Sequence, residues 1–117
     1  KIGVQIAKEY VDDEDAFSKK IYDVIGAGVG IIESVPAAVS IAYYTQDPNK
    51  CCLMCANLGG DTDTIGAMAT AICGAFVGYS KINPEYTELL RVQNPETDFE
   101  EYINILEKGR ELLGCGR

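Results

Sequence analysis

Asp61 and Asp63, one residue apart, follow the pair Gly59-Gly60 and stand at the head of a long run without charge, TIGAMATAICGAFVGYS. Two carboxylates and the hydroxyl of Thr64 offer only hard oxygen donors, the set that Mg2+, Mn2+ and Ca2+ prefer. The glycine pair frees the backbone to turn sharply into the acids. A plainer reading is open beside this one. Aspartate at a helix N-terminus satisfies an orphan N–H, which accounts for one of the two acids well and for both less well. The case for a ligand site assumes two desolvated carboxylates held together, which a purely structural segment has no reason to keep.

Two known uses of such spacing fail here. An EF-hand loop starting at Asp61 would place Gly66 correctly at its sixth position. It would also put Ile65 at the fifth and Ile72 at the twelfth, where a bidentate Glu belongs. An aspartyl-phosphate nucleophile of the D-x-D-x-T kind follows a buried parallel strand, and Gly-Gly precedes the pair instead.

The rest of the chain bounds the chemistry. At 117 residues it is one domain at most, and 47% apolar with 24% charged residues is ordinary for a globular protein. The net charge of −8 argues against nucleic acid as the primary partner, since phosphate contacts need surplus Lys and Arg, and against docking on an anionic membrane. No stretch reaches the roughly 20 apolar residues that span a bilayer, so residues 64–80 read as a buried helix. With no histidine in the sequence, neither a Ser-His-Asp nor a Cys-His arrangement can be assembled. Five cysteines (Cys51, Cys52, Cys55, Cys73 and Cys115) are an odd, irregular set. They predict reduced thiols in a cytoplasmic protein rather than a disulfide framework. Cys52-x-x-Cys55 as a zinc site ranks behind cysteines as small apolar core fillers. The first residue is Lys rather than Met, so the chain is expected to start partway through a gene product or to have been trimmed.

The elements that must position the acids read as helices throughout. DDED at 12–15 opens an amphipathic stretch carrying Phe17, Ile21, Val24 and Ile25, and residues 1–11 are taken as helical. GAGVG at 26–30 reads as a loop. Ser34 is the expected cap and Pro36 the expected first-turn residue of the next helix, which runs to Tyr44. Asp47-Pro48-Asn49 predicts a turn, residues 48–57 a short helix, and residues 64–79 the long one. Along that helix Gly66, Thr70, Gly74 and Gly78 recur every fourth residue, a stripe along which a neighbouring helix is expected to approach. Of the adjacent Tyr43 and Tyr44, at least one should lie in the core. Asn83-Pro84 starts another short helix. Residues 98–113 close the chain, with Phe99, Tyr102, Ile103, Leu106 and Leu113 on one face and Glu100, Glu101, Glu107 and Glu111 on a solvated one. No strand is expected, and the fold class is all-α.

GGDTDTIGAMA, preceded some twenty residues upstream by VGIIESVPAA, resembles the C-terminal half of the ADP-ribosylglycohydrolases, the family of dinitrogenase-reductase-activating and ADP-ribosyl-acceptor hydrolases. The likeness covers residues 16–79, and the GGDTDT string is far more specific than a lone D-x-D. It implies a compact, orthogonal all-α bundle of which residues 1–117 are the C-terminal part. It implies cleavage of the glycosidic bond between ADP-ribose and an acceptor, either a modified protein or a small molecule. It further implies two Mg2+ ions, with Mn2+ as a substitute, bound by Asp61, Asp63 and Thr64, with Asp61 and Asp63 as the catalytic acids. The loop bearing Gly28 and Gly30 falls where the family contacts ADP-ribose, and at least one of these glycines reads as a plain helix connector; Glu33 and Ser34 read as N-terminal helix residues. The family's second acidic cluster, a Thr-Asp-Asp motif and a Glu, has no match in residues 1–50. Asp12–Asp15 reads as a solvated helix start. Half of a dinuclear site is therefore expected here, with the missing N-terminal half as the needed partner. The rival from another class is a non-catalytic relative that keeps the fold and binds ADP-ribose or a cation. A plain helical domain with capping aspartates is the third reading.

Overall fold

A computed structural model describes residues 1–114, and Cys115 lies outside the described residues. Seven α-helices follow in order: α1 (Ile2–Glu9), α2 (Glu14–Val24), α3 (Ile31–Thr45), α4 (Pro48–Leu58), α5 (Thr62–Val77), α6 (Pro84–Gln93) and α7 (Phe99–Leu112). A 3-10 turn, Tyr79–Lys81, follows α5. Among the described residues there is no strand, and the fold is all-α. None of these helices is long and apolar enough to cross a membrane.

The helices form two compact units, residues 1–83 and residues from Pro84 onward. In the first, α3 is central and packs against α1, α2, α4 and α5. Its core is made by Phe17 and Ile21 of α2, Ile41 of α3, Cys51 and Cys55 of α4, and Ile65 and Cys73 of α5, all fully buried. Phe17 stacks on Tyr44 with ring centroids 3.9 Å apart and planes within 7°. The Tyr44 hydroxyl donates to the carbonyls of Tyr10 (3.1 Å) and Val11 (3.2 Å), tying the α1–α2 connection to α3. Tyr43, its neighbour, faces solvent. The described cysteines are free thiols; Cys51, Cys55 and Cys73 are buried and Cys52 is exposed. Burial pushes the Cys73 thiol up, and a hydrogen bond with Cys55 together with burial does the same to Cys51. Cys51 and Cys73 are core fillers rather than nucleophiles.

Aspartate caps set several helix starts. Asp13 accepts from the Ala16 amide (3.0 Å) ahead of α2. Asp47 accepts from the amides of Asn49 (2.7 Å) and Lys50 (3.2 Å) ahead of α4, with Pro48 at the first helical position. The amides of Lys50 and Asn49 hold the Asp47 carboxyl below its usual value. Its contribution to stability is thus fully present above the unfolded value near 3.8 and fades as pH falls through the lower folded value. Asp47→Ala is expected to cost about 1 kcal/mol at neutral pH. In urea titrations the difference from wild type should shrink toward zero as pH falls from 3.8 through the lower folded value.

Four expectations change. Ser34 does not cap α3. Gly30 is the extended N-cap, and the Ser34 hydroxyl, one turn inside, donates back to the Gly30 carbonyl at 3.2 Å. Pro36 is the sixth residue of the helix rather than part of its first turn; the bond its missing N–H forfeits is the one to Ile32, in the first turn. The small-residue stripe on α5 is not its packing line. The buried line is Ile65, Ala69 and Cys73, one residue earlier in register. Only Gly66 marks a close approach, since a Cβ there would sit 3.4 Å from Cys55 Cβ, whereas one at Gly74 or Gly78 would meet open space. Nor is α5 buried all round, because Ile72 and Phe76 are exposed.

In the second unit neither α6 nor α7 has a fully buried residue. Asp98 caps α7 by accepting from the Glu101 amide at 3.0 Å, Phe99 meets Tyr102 edge-on, and Arg91 pairs with Glu100 at 3.8 Å. Tyr102, Ile103 and Leu106 remain open to solvent beside the acids.

Candidate functional site

Asp61 is the N-cap residue of α5, yet its carboxylate makes no capping hydrogen bond. It differs in this from Asp13, Asp47 and Asp98, each of which spends an oxygen on its helix. The Asp63 carboxylate accepts from the adjacent Thr64 amide at 2.9 Å. The neighbouring Asp61 carboxyl, followed by the Thr64 amide, holds the Asp63 carboxyl below its usual value. The pair is wetter than the sequence suggested: Asp61 is half-buried, while Asp63 and Thr64 are exposed. Solvation lowers the cost of keeping two charges together, so desolvation is not what makes this pair unusual. Unspent oxygens are.

The acids are anchored to the glycine loop between α2 and α3. The Asp61 amide donates to the Ala27 carbonyl at 2.7 Å. Gly60 has φ of +74°, and a Cβ on it would run into that same carbonyl. The structure therefore brings Asp61 and the Gly28 loop together. Gly28 itself is already engaged, because its amide donates to a Glu33 carboxylate oxygen at 2.8 Å. A Cβ at Gly26 or Gly28 would collide with that carboxylate. The glycines here make room for Glu33 as well as for any ligand. Gly30 stays exposed as the N-cap of α3.

Glu33 was missed as a site residue. An acid in the first turn of a helix is so common that only the glycines five and seven residues before it hint at a brace. Glu33→Ala leaves the half-buried Gly28 amide without its acceptor and is expected to cost about 1–3 kcal/mol in urea unfolding. Glu33→Gln keeps an acceptor oxygen and should lose less than half as much. Equal losses would mean that packing, not the hydrogen bond, is what Glu33 supplies.

The donor set suits a hard divalent cation: two carboxylates with free oxygens beside a hydroxyl, and no sulfur or imidazole. It is also incomplete. Among the described residues no three His, Cys, Asp or Glu side chains gather where they could hold a metal ion. This covers the cysteines of α4, where Cys52 faces away from buried Cys55.

The fold is all-α, and it presents the Asp61–Asp63 pair from a glycine-braced helix start. Residues 3–113 match the ADP-ribosylglycohydrolase family, and the chain belongs to it. It is 46% identical over 112 residues to the uncharacterized protein YegU of Escherichia coli, covering 95% of this chain and 33% of that protein. It is 35% identical over 86 residues to the ADP-ribosylhydrolase ARH3 of Xenopus tropicalis, covering 64% of this chain and 25% of that one. With the ADP-ribosylarginine hydrolase Tri1 of Serratia proteamaculans it shares 30% over 96 residues, 71% of this chain and 26% of Tri1. The chain thus spans a quarter to a third of the length of these curated relatives. No solved structure matches it.

Proposed function

We propose that this chain supplies part of the active site of a hydrolase that cleaves the glycosidic bond joining ADP-ribose to an acceptor. The observation that carries this reading is the Asp61 carboxylate, unspent on its own helix and standing beside Asp63, in a chain of the ADP-ribosylglycohydrolase family. Asp61, Asp63 and the Thr64 hydroxyl are the residues to hold divalent cation, Mg2+ or Mn2+, with two ions in the complete site. A divalent ion held there would supply a more acidic water and an anchor for the ribose.

The chain's own residues do the positioning. The Ala27 carbonyl fixes the Asp61 backbone, and Glu33 fixes the Gly28 loop beside it. The start of α3, opened by Gly30, favours an anionic group such as the diphosphate of ADP-ribose. With the Gly28 amide spent on Glu33, it is Gly30 and the first turn after it that face the ligand. Bond cleavage at the anomeric carbon develops oxocarbenium character, and the Asp61–Asp63 pair supplies negative charge close to it. The remaining ligands come from the rest of the domain, because residues 1–114 gather only two acids here. The acceptor is a modified protein or a small molecule, and the name of the Serratia relative makes ADP-ribosylarginine the first substrate to try.

The test is a full-length protein containing this chain, assayed for ADP-ribose release from arginine-modified protein with and without Mg2+. Release that stops on chelation and returns with Mg2+ is expected. Binding of ADP-ribose and Mg2+ without release would replace the hydrolase by a non-catalytic binding relative.

A further inference from the structure

We infer that Glu33 is a positioning residue for the nucleotide. Through the Gly28 amide it holds the tip of the 26–30 loop in the shape that receives ADP-ribose, and it touches neither nucleotide nor cation itself. The inference rests on the reading of the site given as the proposed function, and adds which side chain sets the affinity for ADP-ribose apart from that for the cation.

Glu33 does not do what an acid at its position ordinarily does. With Gly30 as N-cap, it is the third residue of α3. An acid there usually reaches back to the N-cap amide and closes a capping box. Glu33 reaches two residues further out and accepts from the Gly28 amide at 2.8 Å. Its carboxylate is spent on the loop, where an ordinary cap would spend it on its own helix. The loop is also fitted around it, since a Cβ at either Gly26 or Gly28 would strike the same oxygen, Oε2.

Two anchors divide the loop between them. Ala27 is buried, and its carbonyl accepts from the Asp61 amide at 2.7 Å. Gly28, the next residue, is held by Glu33. Beyond it the tip, Val29 and Gly30, is exposed. The Ala27 anchor therefore governs where the acids sit, and the Glu33 anchor governs where the tip sits.

Three of the five loop residues are glycine, so a tip released at Gly28 gains wide conformational freedom. Fixing even one such residue again when the ligand binds lowers affinity about tenfold. The bond from Asp61 to Ala27 lies on the other side of Gly28 and survives the release. Loss of Glu33 thus weakens the nucleotide and spares the cation, a split that general destabilisation does not produce.

The experiment uses a full-length protein containing this chain, saturated with Mg2+, and titrates ADP-ribose calorimetrically well below the melting temperature. Glu33→Ala should raise the ADP-ribose Kd about tenfold, and the KM for substrate with it. Its kcat, and the Mg2+ concentration that half-stabilises the protein, should stay within about threefold of wild type. Glu33→Gln keeps an acceptor for the Gly28 amide and should bring the Kd back to within about threefold. Glu33→Asp keeps the charge but is one methylene shorter and cannot reach Gly28. It should bind as poorly as Glu33→Ala, and it carries the test if the alanine variant does not fold. Asp47→Ala removes a cap from α4 and should leave the Kd unchanged.

Equal ADP-ribose affinity in wild type, Glu33→Ala and Glu33→Asp overturns the inference. So does an equal loss in Asp47→Ala, or a loss of Mg2+ affinity that matches the loss for the nucleotide. Wild-type protein that binds no ADP-ribose refutes the proposed function, and the role of Glu33 falls with it. Wild-type protein that binds ADP-ribose but releases none from substrate refutes hydrolysis alone, and the Kd values still decide the role of Glu33.

Discussion

Gly60→Ala is expected to destabilise the first unit by about 2–4 kcal/mol, more than the same change one residue earlier. Two costs add at Gly60. Its φ of +74° is a left-handed value, which charges any L side chain about 1–2 kcal/mol. The new Cβ also meets a backbone atom, the Ala27 carbonyl oxygen, which accepts the Asp61 amide. A backbone carbonyl in a braced loop cannot swing aside as a side chain can, so the Asp61 bond is lost or the loop moves, for about 1 kcal/mol or more. Gly59 is the internal control. With φ of +86° and ψ of 168° Gly59 also holds a glycine conformation, but a Cβ there meets only the edge of the Tyr22 ring, at 3.4 Å. Gly59→Ala should therefore show the conformational cost alone, about 1–3 kcal/mol. Equilibrium urea unfolding of both variants measures the difference. Equal losses would mean that the contact between the GGD turn and the Ala27 loop contributes nothing. In a full-length protein Gly60→Ala should also move Asp61 and depress Mg2+ binding, whereas Gly59→Ala should not.

What could be read from the sequence divides by the range of the interaction. Asp13 and Asp47 announce their helices because a cap bonds an amide two or three residues on, and Pro48 confirms the second. Both are local chemistry. Ser34 misled because Ser followed by Pro two residues later has the same local look. Gly30 four residues upstream, with no side chain to advertise it, took the cap position instead. The glycine stripe on α5 misled for a different reason. Spacing of four marks one helix face but does not say which face a neighbour takes. The core took the line through Ile65, Ala69 and Cys73, with Cys73 set against Ala42 and Thr45 of α3. At the site, the acid pair was legible as an oddity of composition. The bond from Asp61 to Ala27 spans thirty-four residues and the brace from Glu33 folds back on a loop. Neither leaves a local pattern to find.

That distinction between spent and unspent carboxylates yields the largest functional effect expected here. In a full-length protein Asp61→Asn should lower turnover by about a hundredfold or more, the scale of losing a group that acts directly on the charged reacting centre. Asn is nearly isosteric with Asp but brings no charge and a poor cation ligand. Fold stability should barely change, within about 0.5 kcal/mol, because the Asp61 side chain caps nothing and only its backbone amide is anchored. Asp47→Ala supplies the mirror image, losing a cap and leaving turnover intact. Binding can be followed without turnover. A ligand that binds only the folded state stabilises by RT ln(1 + [L]/Kd), about 2.7 kcal/mol at a hundredfold excess over Kd. Mg2+ should thus raise the melting temperature of the wild-type protein, and raise that of Asp61→Asn far less at the same concentration. If Mg2+ shifts both proteins equally, the cation binds elsewhere and the Asp61–Asp63 pair is not its site. If Asp61→Asn instead melts early without Mg2+, the carboxylate is spent on the fold after all.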